Sequence, residues 1–262
     1  MAYERQYSDA ILDSMQLAYG QGFLSPGGTE EVIAILEGLS LAGRNVLDLG
    51  CGVGGAAVLM AGELGAGSVL GVDVEEHLLE LAADTVQAVG LTERVYLKLI
   101  EPGPLPLPGN SFDVVFTNDV ICHVADKRSL IADVFRVLRP GGVFAGGDWM
   151  KGEDGSGRAI YNDWVEQLHS SGLRFRFESV DIYTQSLEAS GFEAIEARNS
   201  SAWSEQCARD QLNYFLGSAR QSSIRSLGKD AFDRRVRLTR SRLEALASGG
   251  LQHWHLRARK PD

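Results

Sequence analysis

The sequence predicts an α/β protein in which helices cover both faces of a parallel sheet, and three observations predict it. From Val46 onward, short apolar runs alternate with amphipathic helical patterns, as strands joined by crossover helices do. The runs at 46–49, 68–73 and 112–119 are almost continuously apolar, the mark of strands buried on both faces. The first run lies in Asn45-Val46-Leu47-Asp48-Leu49-Gly50-Cys51-Gly52-Val53-Gly54-Gly55, where a carboxylate and then a cluster of glycines open a helix. Glycines there let backbone turn sharply and lie against a ligand, and the helix start offers unpaired N–H groups to it.

Taken in order, Ser8 and Asp9 can cap a first helix with Ile11, Leu12, Met15, Ala18 and Tyr19 on it, stopped by Gly20. After the glycine-rich link 20–28, Thr29 can cap a second helix carrying Val32, Ile33, Leu36 and Leu39. Preceding the first strand, these helices are expected to form a cap, residues 1–44, over the core of residues 45–262. The glycine loop leads into a helix at 56–64, a strand at 68–73, a helix at 75–89 and a strand at 94–101. Four prolines between Pro102 and Pro108 bar regular structure there. A strand at 112–119, a helix at 130–138, the turn Arg139-Pro140-Gly141-Gly142 and a strand at 143–145 follow. Residues 151–157 read as a loop, 159–168 and 182–189 as helices, and 193–197 as a strand. Residues 200–250 read as a helical lid insertion before a closing strand at 251–260.

The totals exclude some functions. With 262 residues, 44% hydrophobic and 23% charged, the chain fits one elaborated globular domain. A net charge of −10 argues against a nucleic-acid or anionic-membrane partner, because phosphate backbones demand clustered Lys and Arg. Cys51, Cys122 and Cys207 are isolated, which suits reduced thiols and offers no zinc-ligand spacing, so no metal is expected. No apolar run reaches the roughly 20 residues of a membrane span. A cytoplasmic setting without a leader is the expectation.

The glycine loop alone fits either S-adenosylmethionine or NAD. Asp48, at the exit of the first strand, would sit by the ligand's charged end, attracting an ammonium and repelling a pyrophosphate. Asp73 ends the second strand, where a carboxylate suits ribose hydroxyls in either ligand.

In four ordered pieces the chain resembles the class I S-adenosylmethionine-dependent methyltransferases: Val46-Leu47-Asp48-Leu49-Gly50-Cys51-Gly52, Gly71-Val72-Asp73, Phe112-Asp113-Val114-Val115 and Leu138-Arg139-Pro140-Gly141-Gly142. The resemblance implies a Rossmann-like seven-stranded sheet, mostly parallel with the last strand antiparallel, and S-adenosylmethionine as the methyl donor. Gln6-Tyr7-Ser8-Asp9, Gly22-Phe23-Leu24-Ser25-Pro26-Gly27-Gly28 and Asp119-Val120-Ile121-Cys122-His123 are similar to the phosphoethanolamine methyltransferases in particular. That likeness implies a Tyr7–His123 dyad closing over the acceptor, with Asp119 one turn away. It places Leu24 and Ser25 at the donor's methionine end and Glu101 and Pro102 at its adenine. Val74 and Asn118 complete the donor side with Asp48, Gly50, Gly52 and Asp73.

Where that family grips phosphate with tyrosines, an arginine and a lysine, this sequence departs from it. Trp149 stands at the first tyrosine position, and His169, Leu173 and Phe175 at others. Arg174, Arg176, Tyr183 and Arg242 are near enough in sequence to take over, arginine being suited to oxyanions. The resulting expectation is methyl transfer to a small-molecule acceptor, the amine of a phosphoethanolamine-like or other small amine metabolite. O- or S-methylation of a small acid and a non-catalytic adenosyl-ligand or NAD-binding module are the alternatives.

Overall fold

Residues on alternate sides of the strands divide the core in two. A computed structural model describes residues 7–152, 155, 157–170 and 172–262. Gln6 and the loop residues Glu153, Asp154 and Ser156, named above, lie outside the described residues. The elements are α1 (Asp9–Tyr19), α2 (Gly28–Ile35), β1 (Asn45–Leu49), α3 (Gly55–Gly62), β2 (Ser68–Asp73), α4 (Glu76–Ala88), β3 (Val95–Leu99) and β4 (Phe112–Asn118). A single 3₁₀ turn (Ile121–His123) precedes α5 (Lys127–Val137), β5 (Leu138–Lys151), α6 (Arg158–Ser170), α7 (Val180–Ser190) and β6 (Glu193–Asn199). The chain then runs through α8 (Ser201–Leu216), α9 (Arg220–Leu227) and α10 (Lys229–Ala247) into β7 (Leu251–Arg259).

The seven strands form one sheet in the order β3-β2-β1-β4-β5-β7-β6. β1 pairs in parallel with β2 and β4, and β7 runs antiparallel to both β5 and β6. Strand order reverses between β1 and β4, so the crevice at their carboxyl ends is where ligands bind in such sheets. With a side-chain period of two, Leu47 and Val115 face α5 and α7, against Ile131 and Leu187. Val46, Val114 and Phe116 face the other way, against Val32 of α2, Met60 of α3 and Val86 of α4.

Three local expectations shift. The second helix starts at Gly28 behind a left-handed Gly27, with no side-chain cap, so Thr29 lies inside it. The fifth helix starts at Lys127, because the Asp126 carboxylate accepts from the Ser129 amide and caps it there. The fifth strand is far longer than 143–145: pairing jumps from Phe112–Leu138 to Val114–Val143, so the Arg139–Gly142 turn is an irregularity within it. Among the described residues no helix is long and apolar enough to cross a membrane.

Candidate active site

The crevice at the β1/β4 switch point opens into one cavity of about 890 Å3. All ten positions expected on the donor side line it: Leu24, Ser25, Asp48, Gly50, Gly52, Asp73, Val74, Glu101, Pro102 and Asn118. Gly50 has a φ of 76°, and a Cβ there would come within 2.3 Å of Val120 Cγ2, so glycine is required on both counts. Gly52, at φ 52°, turns its N–H onto Asp73 Oδ2 at 2.9 Å. Asp73 Oδ1 accepts from the amides of Val74 (2.7 Å) and Glu75 (3.0 Å), so this carboxylate fixes the loop. A second lone pair on Oδ2 is left for a ligand hydroxyl.

Asp48 is 2% exposed, and its Oδ2 has no hydrogen-bond partner among the described residues. Burial, and then the neighbouring Asp73, push its carboxyl up to about 7. Asn118 Oδ1 is buried without a partner as well. Unpaired buried oxygens are costly, and both lie where a cationic or hydrogen-bonding ligand group would satisfy them.

Across the cavity, the 3₁₀ turn after β4 carries His123. Its Nδ1 lies 2.8 Å from the carbonyl of Arg174, which can only accept, so the proton is on Nδ1. Nε2 is left as the acceptor and sits 3.3 Å from the Tyr7 hydroxyl. Burial lowers the His123 pKa, which keeps the ring neutral. The Phe175 ring tilts over it at a centroid distance of 4.3 Å. His77 on α4 holds the Tyr7 carbonyl at 3.0 Å, tying Tyr7 to that helix. Asp119 also lines the cavity and stands in the left-handed region at φ 58°, uncommon outside glycine.

On the acceptor side, Trp149 is buried and lines the cavity, and Arg174 and Arg176 reach it from its exposed edge. Tyr183 does not. It is wholly buried in the α7 layer and donates to Asp148 Oδ2 at 2.9 Å, so its hydroxyl is spent inside the core. The expectation that Tyr183 contacts the acceptor is corrected accordingly.

The structure adds a cluster that the sequence reading did not assemble. Arg235 and Arg242 of α10 both line the cavity beside Tyr19 of α1. Arg242 donates to the Tyr19 hydroxyl (3.0 Å) and to Gln211 Oε1 (2.8 Å), while its Nε is buried without a partner. The Arg235 guanidinium lies 4.9 Å over the Tyr19 ring, and its Nε and Nη2 are buried and unpartnered. Neither forms an ion pair with a carboxylate among the described residues. Burial alone would raise the Tyr19 pKa, but the two guanidinium charges outweigh it and bring it down to about 8. The available signal was spacing: Arg235 and Arg242 sit seven apart on a helix whose buried residues include Phe232, Val236 and Thr239.

A second cluster lies behind Asp119. Glu31, His253 and His255 are all buried, with ligand-type atoms within 4.8 Å of one another, the one such group found among the described residues. Each ring nitrogen already has a protein partner, in Asp119 and Ser200 for His253 and in Glu31 and Arg198 for His255. The cysteines Cys51, Cys122 and Cys207 are free thiols.

Residues 47–146, which carry the β1-to-β5 part of this sheet and most of the donor-side wall of the cavity, match the family model described as a methyltransferase domain. Over nearly its whole length the chain is similar to phosphoethanolamine N-methyltransferases. It is 29% identical to phosphoethanolamine N-methyltransferase 1 of Arabidopsis thaliana over 252 residues, 96% of this chain and 49% of that one. A Haemonchus contortus phosphoethanolamine N-methyltransferase 2, solved with phosphomonomethylethanolamine and S-adenosylhomocysteine, superposes with a TM-score of 0.89 at 25% identity. That match covers 98% of this chain and 59% of the nematode chain. A 27-O-demethylrifamycin SV methyltransferase of Amycolatopsis mediterranei is 29% identical over 84% of this chain and 79% of its own. The chain thus spans about half the length of the plant relative that it matches.

Proposed function

We propose that the chain transfers the methyl group of S-adenosylmethionine to the amine of a small acceptor bearing an anionic group, phosphoethanolamine being the model compound. One observation carries this reading. The same cavity is lined by an orphaned carboxylate at Asp48, a neutral imidazole at His123 and unpaired guanidinium N–H groups at Arg235 and Arg242.

The donor supplies an electrophilic methyl on a sulfonium and carries an ammonium that suits Asp48, whereas a pyrophosphate there would be repelled. Asp73 and the amides around Gly50 and Gly52 take the ribose end. His123 Nε2 accepts the proton that the acceptor ammonium must lose. An alkyl ammonium of pKa about 10.4 costs roughly 4–5 kcal/mol to deprotonate near pH 7, and a positioned base recovers much of that. Tyr7 orients His123 and closes the cavity to water. Asp119 holds the ammonium before transfer. Arg235 and Arg242, with Arg174 and Arg176 at the edge and Trp149 as an apolar wall, receive the anionic group; Tyr183 has no part.

We read residues 1–44 as a cap on the core of residues 45–262. Helices α8–α10, residues 200–250, then serve as a lid, because α1 brings Tyr19 onto both α10 arginines. A cytoplasmic location agrees with the three free thiols.

Binding tests this reading. S-Adenosylhomocysteine should stabilise the protein in a thermal-shift assay and NAD should not. Phosphoethanolamine should add further stabilisation in the presence of S-adenosylhomocysteine, whereas ethanolamine should add none. Stabilisation by NAD alone would overturn the donor assignment, and equal effects of the two amines would overturn the anion pocket.

A further inference from the structure

Asp119 lines the acceptor wall, and its side chain is held from outside the cavity. Its backbone is left-handed at φ 58°, and its amide donates to the Gly147 carbonyl at 2.9 Å. Its Oδ1 accepts from His253 Nε2 of β7 at 3.0 Å. His253 is 2% exposed; its Nδ1 lies 2.8 Å from Ser200 Oγ and 3.5 Å from Glu31 Oε1. Glu31, on α2, accepts from Trp203 Nε1 of α8 at 2.7 Å and from His255 Nε2 at 2.5 Å. Arg198 of β6 donates to His255 Nδ1 at 2.9 Å, which makes His255 a neutral ring protonated on Nε2.

The order along this line is therefore carboxylate, imidazole, carboxylate, neutral imidazole, guanidinium, running from the cavity through β7 to the edge of the sheet. With Asp119 on one side and Glu31 on the other, His253 sits between two carboxylates, an arrangement that favours its doubly protonated form. We infer that His253 is an imidazolium positioning residue which, backed by Glu31, holds the Asp119 side chain aimed into the acceptor pocket. Its partners place the end of β4, the cap helix α2 and the start of the α8 lid in one buried network, so the acceptor wall is ordered by the same contacts that dock the cap. The charged or titratable groups facing His253 are Asp119, Glu31, Asp148 and His255. Burial alone would lower its pKa, but the Asp119 hydrogen bond and the surrounding carboxylates outweigh it, and the value is raised. A ring protonated on both nitrogens has no lone pair for a metal, so the Glu31–His253–His255 group is a hydrogen-bonded unit.

This inference rests on the reading that Asp119 faces the acceptor amine, and its test separates the two. In protein labelled with 15N-histidine and saturated with S-adenosylhomocysteine, the signal that H253Q removes should show both ring nitrogens protonated near neutral pH. In D119N that signal should revert to a neutral ring. A neutral His253 in the wild-type protein would overturn the inference, whatever the acceptor is.

Kinetics with phosphoethanolamine supply the second arm. H253L should lower kcat/KM at least about tenfold with S-adenosylhomocysteine affinity within about twofold, and H253Q should recover part of the loss. In a D119A background H253L costs no more than about twofold further, because it acts through Asp119. Full multiplication of the two losses, or a wild-type kcat/KM in H253L, would overturn the inference. Were D119A itself to leave kcat/KM unchanged, the acceptor role of Asp119 would fall, and the ring protonation alone would decide the matter for His253.

Discussion

The Tyr7 hydroxyl stands 3.3 Å from His123 Nε2 while His123 Nδ1 is tied to the Arg174 carbonyl, so a neutral ring presents its lone pair toward Tyr7 and the cavity. If that nitrogen takes the acceptor proton, His123→Ala should lower kcat by at least about a hundredfold, with S-adenosylhomocysteine affinity unchanged by calorimetry. The working form is the unprotonated ring, present above its folded pKa, and burial sets that pKa below the usual imidazole range. The limb of kcat/KM assigned to His123 therefore falls as pH drops through a value under that range, and it disappears in the alanine variant. Survival of kcat within a few-fold would remove His123 as the base.

Asp48 illustrates how a ligand site carries a cost in stability. Its carboxyl, ordinarily near 3.8, is raised to about 7 by burial and by Asp73. The folded state binds a proton more tightly than the unfolded chain, so this group's penalty grows as pH rises from about 4 and is complete above about 7. The shift corresponds to roughly 3–5 kcal/mol. Asp48→Asn should raise the melting temperature of the ligand-free protein near pH 8 and leave it unchanged near pH 4. The same variant should lose most of the stabilisation given by S-adenosylhomocysteine. Thermal melts across that range check both statements.

Tyr19 reports on the anion pocket without any acceptor. With Arg235 and Arg242 beside it, its hydroxyl ionises near 8. Arg235→Met removes one of the two charges, so the tyrosinate absorbance that appears near pH 8 should move to higher pH. The substitution should also raise KM for phosphoethanolamine at least about tenfold with little change in donor affinity, the loss expected for a charge-assisted contact.

Tyr183 should behave as a core residue. Tyr183→Phe deletes the hydrogen bond to Asp148, which still accepts from the Trp149 amide. Chemical denaturation should show a loss of about 1–3 kcal/mol, with KM for phosphoethanolamine within about twofold of wild type.

Much of the fold was legible because it is written locally. Alternating apolar runs and helices, and the Asp48-to-Gly55 loop, specify the β1-to-β4 half without long-range information. Tyr7, Asp119 and His123, which line one cavity, were singled out through short local strings. Of the two α10 arginines in the proposed anion pocket only Arg242 was named: Arg235 lies in a segment so rich in arginine that it reads as a solvated face until α1 is seen to lay Tyr19 across it. The Glu31–His253–His255 group joins residues more than 220 positions apart, and no spacing rule reaches that far. Tyr183 was misplaced for the opposite reason, being close in sequence to Arg174 and Arg176 while its helix turns it into the core.

The most direct test of the account is transfer of a labelled methyl group from S-adenosylmethionine to phosphoethanolamine, with ethanolamine as the matched acceptor lacking the anion. The account predicts labelled phosphomonomethylethanolamine, at least about tenfold slower labelling of ethanolamine, and loss of that preference in the Arg235→Met, Arg242→Met double variant. Label reaching neither amine, or reaching both equally in the wild-type protein, would contradict it.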